Sequence, residues 1–568
     1  MDMSYLPTNF EPSKDLAWET YAHKFDELAA TELTEENAAS WLEDWSKIHH
    51  QVDDLGNRIY VSKSVDTHDP VAKDAFERFN NDIFPKLESA GQVLKEKFLA
   101  AGIEVEGFEI PLRNMRSQAA LFREENLPLQ TEELQKTSTY DEIVGSQTVV
   151  WEGKEITLTE LSKVGQDPDR AKREQAWRLA MGRRLQDREA LNGLWTEFVD
   201  NRVKQAKNAG FDSYTGLRWA QMQRFDYSPR NCEEFHEAIE EVVIPAAKRI
   251  HARRARQLNL ESVRPWDLSA PMPGEKGLTP FSTVEQLEAT AATIFERMDP
   301  VLADYYRTMS NEQLLDLENR KGKAPGGYCT MFAESRRPFI FMNAVGTHDD
   351  VQTLLHEAGH AFHVFETASL PYAQQLHVDT EFAEVASMGM EFIAHKYLDA
   401  SNGGYYSAED ASKARIEHIE RSILFWPYMA VVDAFQHWVY ANPELGRLPS
   451  ECDKAWSDLW DRFMGGEDWS GLQAEKETGW HRKLHIFHIP FYYVEYGLAQ
   501  LGAVQVWRNA LESEPNALKD YRGALALGGT RSLPETFQAC GIRFGWDAKL
   551  MRDAVELMES KIEENGRS

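Results

Sequence analysis

Apolar residues recur at three- and four-residue steps along most of this chain, the spacing that lines one face of an α-helix. Up to about residue 215 the pattern predicts helices over 13–31, 35–51, 69–101 and 170–208, joined by short turns. One interruption lies at 148–158, where two β-prone runs flank Glu152-Gly153-Lys154 and predict a hairpin. The helix that follows starts at Asp167 or Asp169, and its Arg and Lys residues read as a solvated face. Helical spacing resumes over 216–330, broken by a Pro- and Gly-rich loop at 263–282.

The pattern changes at 322–347. Pro338 to Asn343 is a compact β-prone run, and Gly326-Gly327-Tyr328-Cys329-Thr330 reads as a Gly-hinged extended segment, so a small sheet is expected here. Helical periodicity then returns, with Val351, Leu354, Leu355, Ala358 and Phe362 on one face. Thr347 and Asp350 form a capping-box start for that helix. Further helices are expected at 377–398, at 407–444 with a Ser407 cap, a Pro443 stop and a kink at Pro427, and after 480–496.

The helix begun at Thr347 carries His356-Glu357-Ala358-Gly359-His360. Residues four apart project from nearly the same helix face, so both imidazoles can reach one metal ion, while Glu357 stands about 100° round and can address a water. Two His ligands with a Glu general base is the zinc hydrolase arrangement. With 17 His in 568 residues the motif arises by chance in roughly one such chain in twenty, so the segments after it carry weight. A catalytic zinc usually takes three protein ligands and keeps one open position. The metzincin pattern is broken, because His363 and Glu366 stand where Gly and His are required. The other scheme draws a Glu from a later helix, and 377–398 offers Glu381, Glu384 and Glu391 among largely apolar neighbours. A carboxylate on such a face is costly unless it is paired or binds a metal. Glu384 and Glu391 share a face, so one can ligate while the other orients a histidine. Spacing alone does not say which.

HEAGHAFH, followed 24 residues after His360 by Glu384 in EFAEVASMGME, resembles the thimet oligopeptidase and oligoendopeptidase F family of zinc metallopeptidases, closer to the oligoendopeptidase F branch. The resemblance implies one Zn²⁺ per chain held by His356, His360 and Glu384, with Glu357 as general base and Glu391 behind the ligands. It also implies that Gly326, Gly327, Tyr328 and Cys329 border the substrate on a strand that pairs with an extended peptide backbone. The segment 480–503 is similar to the family's His then Tyr-x-x-Tyr region. Tyr493 and Tyr496 map onto the tyrosines that steady the oxyanion, His485 or His488 takes the histidine's place, and Tyr492 joins them in contacting substrate. Trp266-Asp267 and the Gly-Gly loop in 525–544 resemble further family segments, the latter at the cleft border.

The implied fold is mainly α: a neurolysin-like zincin with two helical lobes around a substrate channel and a small β-sheet beside the zinc helix. Residues 1–200 are expected to supply the N-terminal lobe and 201–568 the catalytic region. The implied activity is hydrolysis of internal bonds in short, unstructured peptides. A non-catalytic peptide-binding protein of the same fold is the alternative, and loss of Glu357 or a ligand would mark it; neither is lost. A net charge of −30 argues against nucleic acid and anionic membranes as partners. The N-terminus reads as neither signal peptide nor anchor, and no run of 18 apolar residues occurs, so a soluble, unexported protein is expected. Cys232, Cys329, Cys452 and Cys540 form no C-x-x-C pair and read as reduced thiols, consistent with a cytoplasmic location.

Overall fold

The computed structural model describes residues 17–274 and 277–566. The fold is mostly helical with two small sheets, as the periodicity predicts. The start of the 13–31 helix lies partly outside the described residues.

Two hydrophobic cores organise the helices. The first, from Tyr21 to Met115 and including Trp41, Trp45 and Phe98, centres on helix α1 (Ala38–Val65). The second takes in residues from Val61 to Ile562, with Tyr140, Leu194 and Trp195 from the first 200 residues contributing to it. Strands β1 (Thr148–Trp151) and β2 (Lys154–Thr157) form the expected hairpin. Glu152 and Gly153 both take positive φ, 50° and 81°, as a tight two-residue turn between twisted strands requires.

Helix α2 (Arg170–Gln186) begins with Asp169 accepting a hydrogen bond from the Ala171 N–H. The solvated-face reading holds for Lys172 and Arg178, which are exposed, and is corrected for Arg170 and Arg173. Arg173 is buried, and it and Arg170 donate to the fully buried Asp267 at 2.9–3.3 Å, while Arg173 also donates to the Trp266 carbonyl. A buried carboxylate needs such partners. The Trp266-Asp267 pair thus anchors α2 from below. Helix α3 (Pro229–Ala238) follows in the second core.

The second sheet places β5 (Arg337–Ala344) between β3 (Leu315–Glu318), parallel to it, and β4 (Tyr328–Phe332), antiparallel. β5 is almost wholly buried, whereas β4 is an edge strand. Against this sheet lies α4 (His348–Glu366). Its predicted capping box is present: one Asp350 carboxylate oxygen accepts from the N–H groups of Val345, Gly346 and Thr347 at 2.8–2.9 Å. Helices α5 (Thr380–Ile393), α6 (Ala408–Ala441) and α7 (Tyr493–Leu525) complete the central packing. α6 continues as one helix through Pro427, whereas α7 is interrupted by non-helical backbone at Ser513, ahead of Pro515.

Candidate active site

α4 and α5 cross at unusually short range. A Cβ on Gly359 would lie 2.5 Å from the Ala386 carbonyl oxygen and 2.7 Å from the Ser387 Cα. The absence of a side chain is what allows the two backbones to meet, and it brings Glu384 opposite His356 and His360, three residues before Gly359 and one after it. Replacing Gly359 with Ala is expected to push the helices apart, destabilising the fold by about 1–3 kcal/mol and weakening metal binding. Thermal melts and zinc titration check this; an unchanged affinity would show that the helix spacing does not set the site.

The Nε2 atoms of His356 and His360 lie 3.4 Å and 3.8 Å from one oxygen of Glu384, and the donor atoms of all three lie within 4.8 Å of one another. Two of the three, Glu384 and His356, have further partners. The Ser387 hydroxyl donates to Glu384 at 2.9 Å. His356 Nδ1 lies 2.7 Å from Glu391, whose other oxygen lies 3.0 Å from His418 Nε2, and His418 Nδ1 lies 2.7 Å from His395 Nε2. Glu391 therefore occupies the orienting position, and His418 and His395 extend the chain of contacts. Sequence reading missed both histidines; their only signal was a second carboxylate oxygen on a buried Glu391 that needed a donor.

Electrostatics follow from this packing. Burial alone would depress the His356 pKa, but the Glu391 hydrogen bond and the charges of Glu391, Glu384 and Glu357 raise it to about 9. Burial, then His356, depresses His360 well below its ordinary value. Burial raises Glu384, whereas hydrogen bonds from His356 and His418 overcome burial and pull Glu391 down to about 2. Glu391 thus stays anionic and fixes Nδ1 of His356, leaving Nε2 to face Glu384. Two imidazole nitrogens and a carboxylate oxygen converging in a buried site form a donor set that suits zinc, and a cation there takes the place of the extra proton on His356. Glu391→Gln is expected to weaken zinc binding about 10–100-fold while leaving the fold intact, measured by competition with a chelator.

Glu357 is buried beside these groups without sharing their oxygen, and burial followed by the charges of Glu384 and Glu391 raises its pKa to about 7. The Cys329 backbone N–H points at its carboxylate, so edge strand β4 meets the site at Glu357. Burial, then Glu357, holds the Cys329 thiol well above its ordinary pKa, which leaves it un-ionised and a poor nucleophile. Gly327 packs its backbone over Thr353 of α4, and Gly326 takes φ +94° with open space around its Cα. Tyr328 turns the other way, stacking on Phe341 and meeting Tyr60 at a tilt.

The segment ahead of α7 divides. His485, Tyr492 and Tyr496 cluster, with ring centroids 5.3–6.1 Å apart, and the Tyr492 and Tyr496 phenols both feel the charge of Glu384. Tyr493 packs in the same cluster, 5.1 Å from His485 and 5.7 Å from Tyr496, but its hydroxyl accepts from Lys483 at 2.8 Å and its ring also faces Tyr428 and Phe425. His488 is set apart, 3.0 Å from Asp141 and edge-on to Tyr140. The turn that sorts these side chains is at Phe491, which adopts φ +65° and is held by hydrogen bonds from Arg224 to its carbonyl and from its N–H to Gln436. Gly528 and Gly529 lie against the carbonyls of Gln375 and His377, the segment leading into α5; a Cβ at either would fall 2.1–2.6 Å from those oxygens.

Known proteins share this architecture. PZ peptidase A, solved with an inhibitor, superposes with a TM-score of 0.88 over 98% of this chain and 99% of its own at 24% identity. A Bacillus anthracis protein provisionally assigned as an oligoendopeptidase F gives 0.81 over 96% of each chain at 25% identity. Among curated sequences, oligopeptidase PepF of Bacillus subtilis is 23% identical over 335 residues, 56% of this chain and 47% of its own length. An oligoendopeptidase F homolog of Mycoplasma pneumoniae is 23% identical over 295 residues, covering 50% and 48%. The matched part of the chain thus spans about half the length of these curated relatives. The model of peptidase family M3 matches residues 164–554, which carry all of the site just described, and the chain belongs to that family.

Proposed function

We propose that this protein is a zinc-dependent oligopeptidase that hydrolyses internal bonds of short, unstructured peptides. The observation that carries the reading is the convergence of His356, His360 and Glu384 on one point, with the carboxylate of Glu357 beside them and outside their donor set. His356, His360 and Glu384 would hold the Zn²⁺, and when bound it supplies Lewis-acid polarisation of the scissile carbonyl and of water.

The chain's own residues do the rest. Glu357, whose pKa burial raises to about 7 in the metal-free site and which a nearby cation lowers again, accepts a proton from the attacking water and returns it to the leaving amine. A poised pKa lets one carboxylate serve both steps. Burial first, then the charge of Glu384, pushes the Tyr496 phenol up to about 12, so it remains a neutral donor at physiological pH. Tyr492, shifted further in the same direction, is likewise protonated, and these two hydroxyls suit the oxygen on which negative charge develops. Edge strand β4 offers main-chain pairing to an extended peptide beside Glu357. A folded substrate cannot present such a strand, which supports the restriction to unstructured peptides.

A cytoplasmic location is part of the same reading. It is supported by four free cysteines, three of them buried.

A mixed library of short peptides, read by mass spectrometry with and without chelator, tests the proposal. Cleavage is expected at internal bonds, lost on chelation and restored by zinc. Persistent cleavage after complete metal removal, or an intact library with zinc bound, would overturn it.

A further inference from the structure

A second cluster of metal-binding residue types lies outside the site. Cys232 and His236 are four apart on α3, and Asp433 and His437 are four apart on α6, so each pair projects from one helix face toward the other helix. The donor atoms of Cys232, Asp433 and His437 lie within 4.8 Å of one another. Cys232, His236 and Asp433 are buried, Asp433 completely, and the His437 side chain is 11% exposed.

Hydrogen bonding leaves this cluster incomplete. His236 Nε2 lies 2.9 Å from Asp433 Oδ2. His437 Nε2 is 3.3 Å from the same oxygen but has no hydrogen-bond partner, and Asp433 Oδ1, wholly buried, has none either. The rings of Trp219, Phe491 and Phe463 pack around the two histidines at 5.0–6.1 Å and keep bulk water out. A wholly buried carboxylate oxygen left without a partner, beside a thiol and a loosely paired imidazole, is a place where a cation can bind.

We propose that Cys232, Asp433 and His437 bind a second divalent metal ion, with His236 orienting Asp433 through Oδ2. A thiolate and a carboxylate together cancel a 2+ charge, and the buried Arg224 and Glu381 that also act on Cys232 offset one another; sulfur with nitrogen and oxygen donors selects zinc over magnesium or calcium. The thiol proton leaves to solvent as the ion binds. The role is structural. The ion fastens α3 to α6, and Gln436, next to His437, holds the N–H of Phe491 at the turn that presents Tyr492 and Tyr496.

Cobalt substitution separates the two sites. The ligand set of His356, His360 and Glu384 contains no sulfur, so a thiolate-to-cobalt charge-transfer band can arise only from Cys232. Protein purified without chelator is expected to hold two zinc ions per chain. Its cobalt form is expected to show that band, with both the band and one equivalent of metal lost in Cys232→Ser. Asp433→Asn is expected to lose the same equivalent if the serine variant does not fold. One metal per chain in the wild type, with no charge-transfer band after cobalt loading, would overturn the proposal and leave the peptidase reading untouched.

Discussion

Glu357→Gln is expected to lower peptide hydrolysis by about 10²–10⁴-fold while the protein keeps its zinc. The substitution is nearly isosteric, and the amide oxygen can still accept from the Cys329 N–H, so the contact with β4 survives. What disappears is the proton acceptor. Metal content is expected to hold because Glu357 does not share the converging donors of His356, His360 and Glu384. A stability signature accompanies the loss of rate. In the metal-free protein the folded-state pKa of Glu357 is raised from 4.5 to about 7, so folding is penalised wherever the unfolded carboxylate is ionised and the folded one resists ionising. That penalty is absent in acid, grows as pH rises through 4.5, and is complete above about 7. The metal-free Gln variant should therefore melt higher than wild type at neutral pH and equally below pH 4.5. A variant that binds zinc normally and still turns over peptides at near wild-type rates would eliminate Glu357 as the base.

Much of this site is readable from the sequence because its parts are local. The i, i+4 histidines, the Thr347-Asp350 cap and the β-prone run before them depend on spacing within one helix or strand, and each appears in the structure. The mainly helical fold follows for the same reason. The illegible features are those in which one segment's geometry is decided by another. Gly359 looks like filler in the motif until Ala386 and Ser387 are laid against it. His418, on another helix, acquires meaning only through Glu391, and His395, four residues after Glu391, only through His418. Arg173 reads as a surface charge because nothing near it in sequence reveals the buried Asp267. The family likeness could supply the ligand set, since that rests on the motif, but not the assignment among neighbouring tyrosines.

That assignment is open to a direct comparison. Tyr496→Phe is expected to reduce kcat by about 10²–10³-fold with little change in KM, as for loss of a donor to a developing oxyanion. Tyr493→Phe should remain within a few-fold of wild type in kcat. The two residues are three apart on α7 and their rings touch, at 5.7 Å between centroids, so sequence position does not distinguish them. Their surroundings do. Tyr496 lies with Tyr492 under the charge of Glu384, whereas the Tyr493 hydroxyl is already engaged by Lys483 and its ring is packed against Tyr428 and Phe425. A phenol committed to an ammonium at 2.8 Å must break that bond to serve a substrate oxygen, while one near the metal ligands need not. The backbone at Phe491 decides the matter: its left-handed φ of 65° turns the chain so that Tyr492 and Tyr496, four apart, share the face toward Glu384. Equal losses in the two variants would mean that Tyr493 acts on substrate as well, and a larger loss for Tyr493→Phe would reverse their roles.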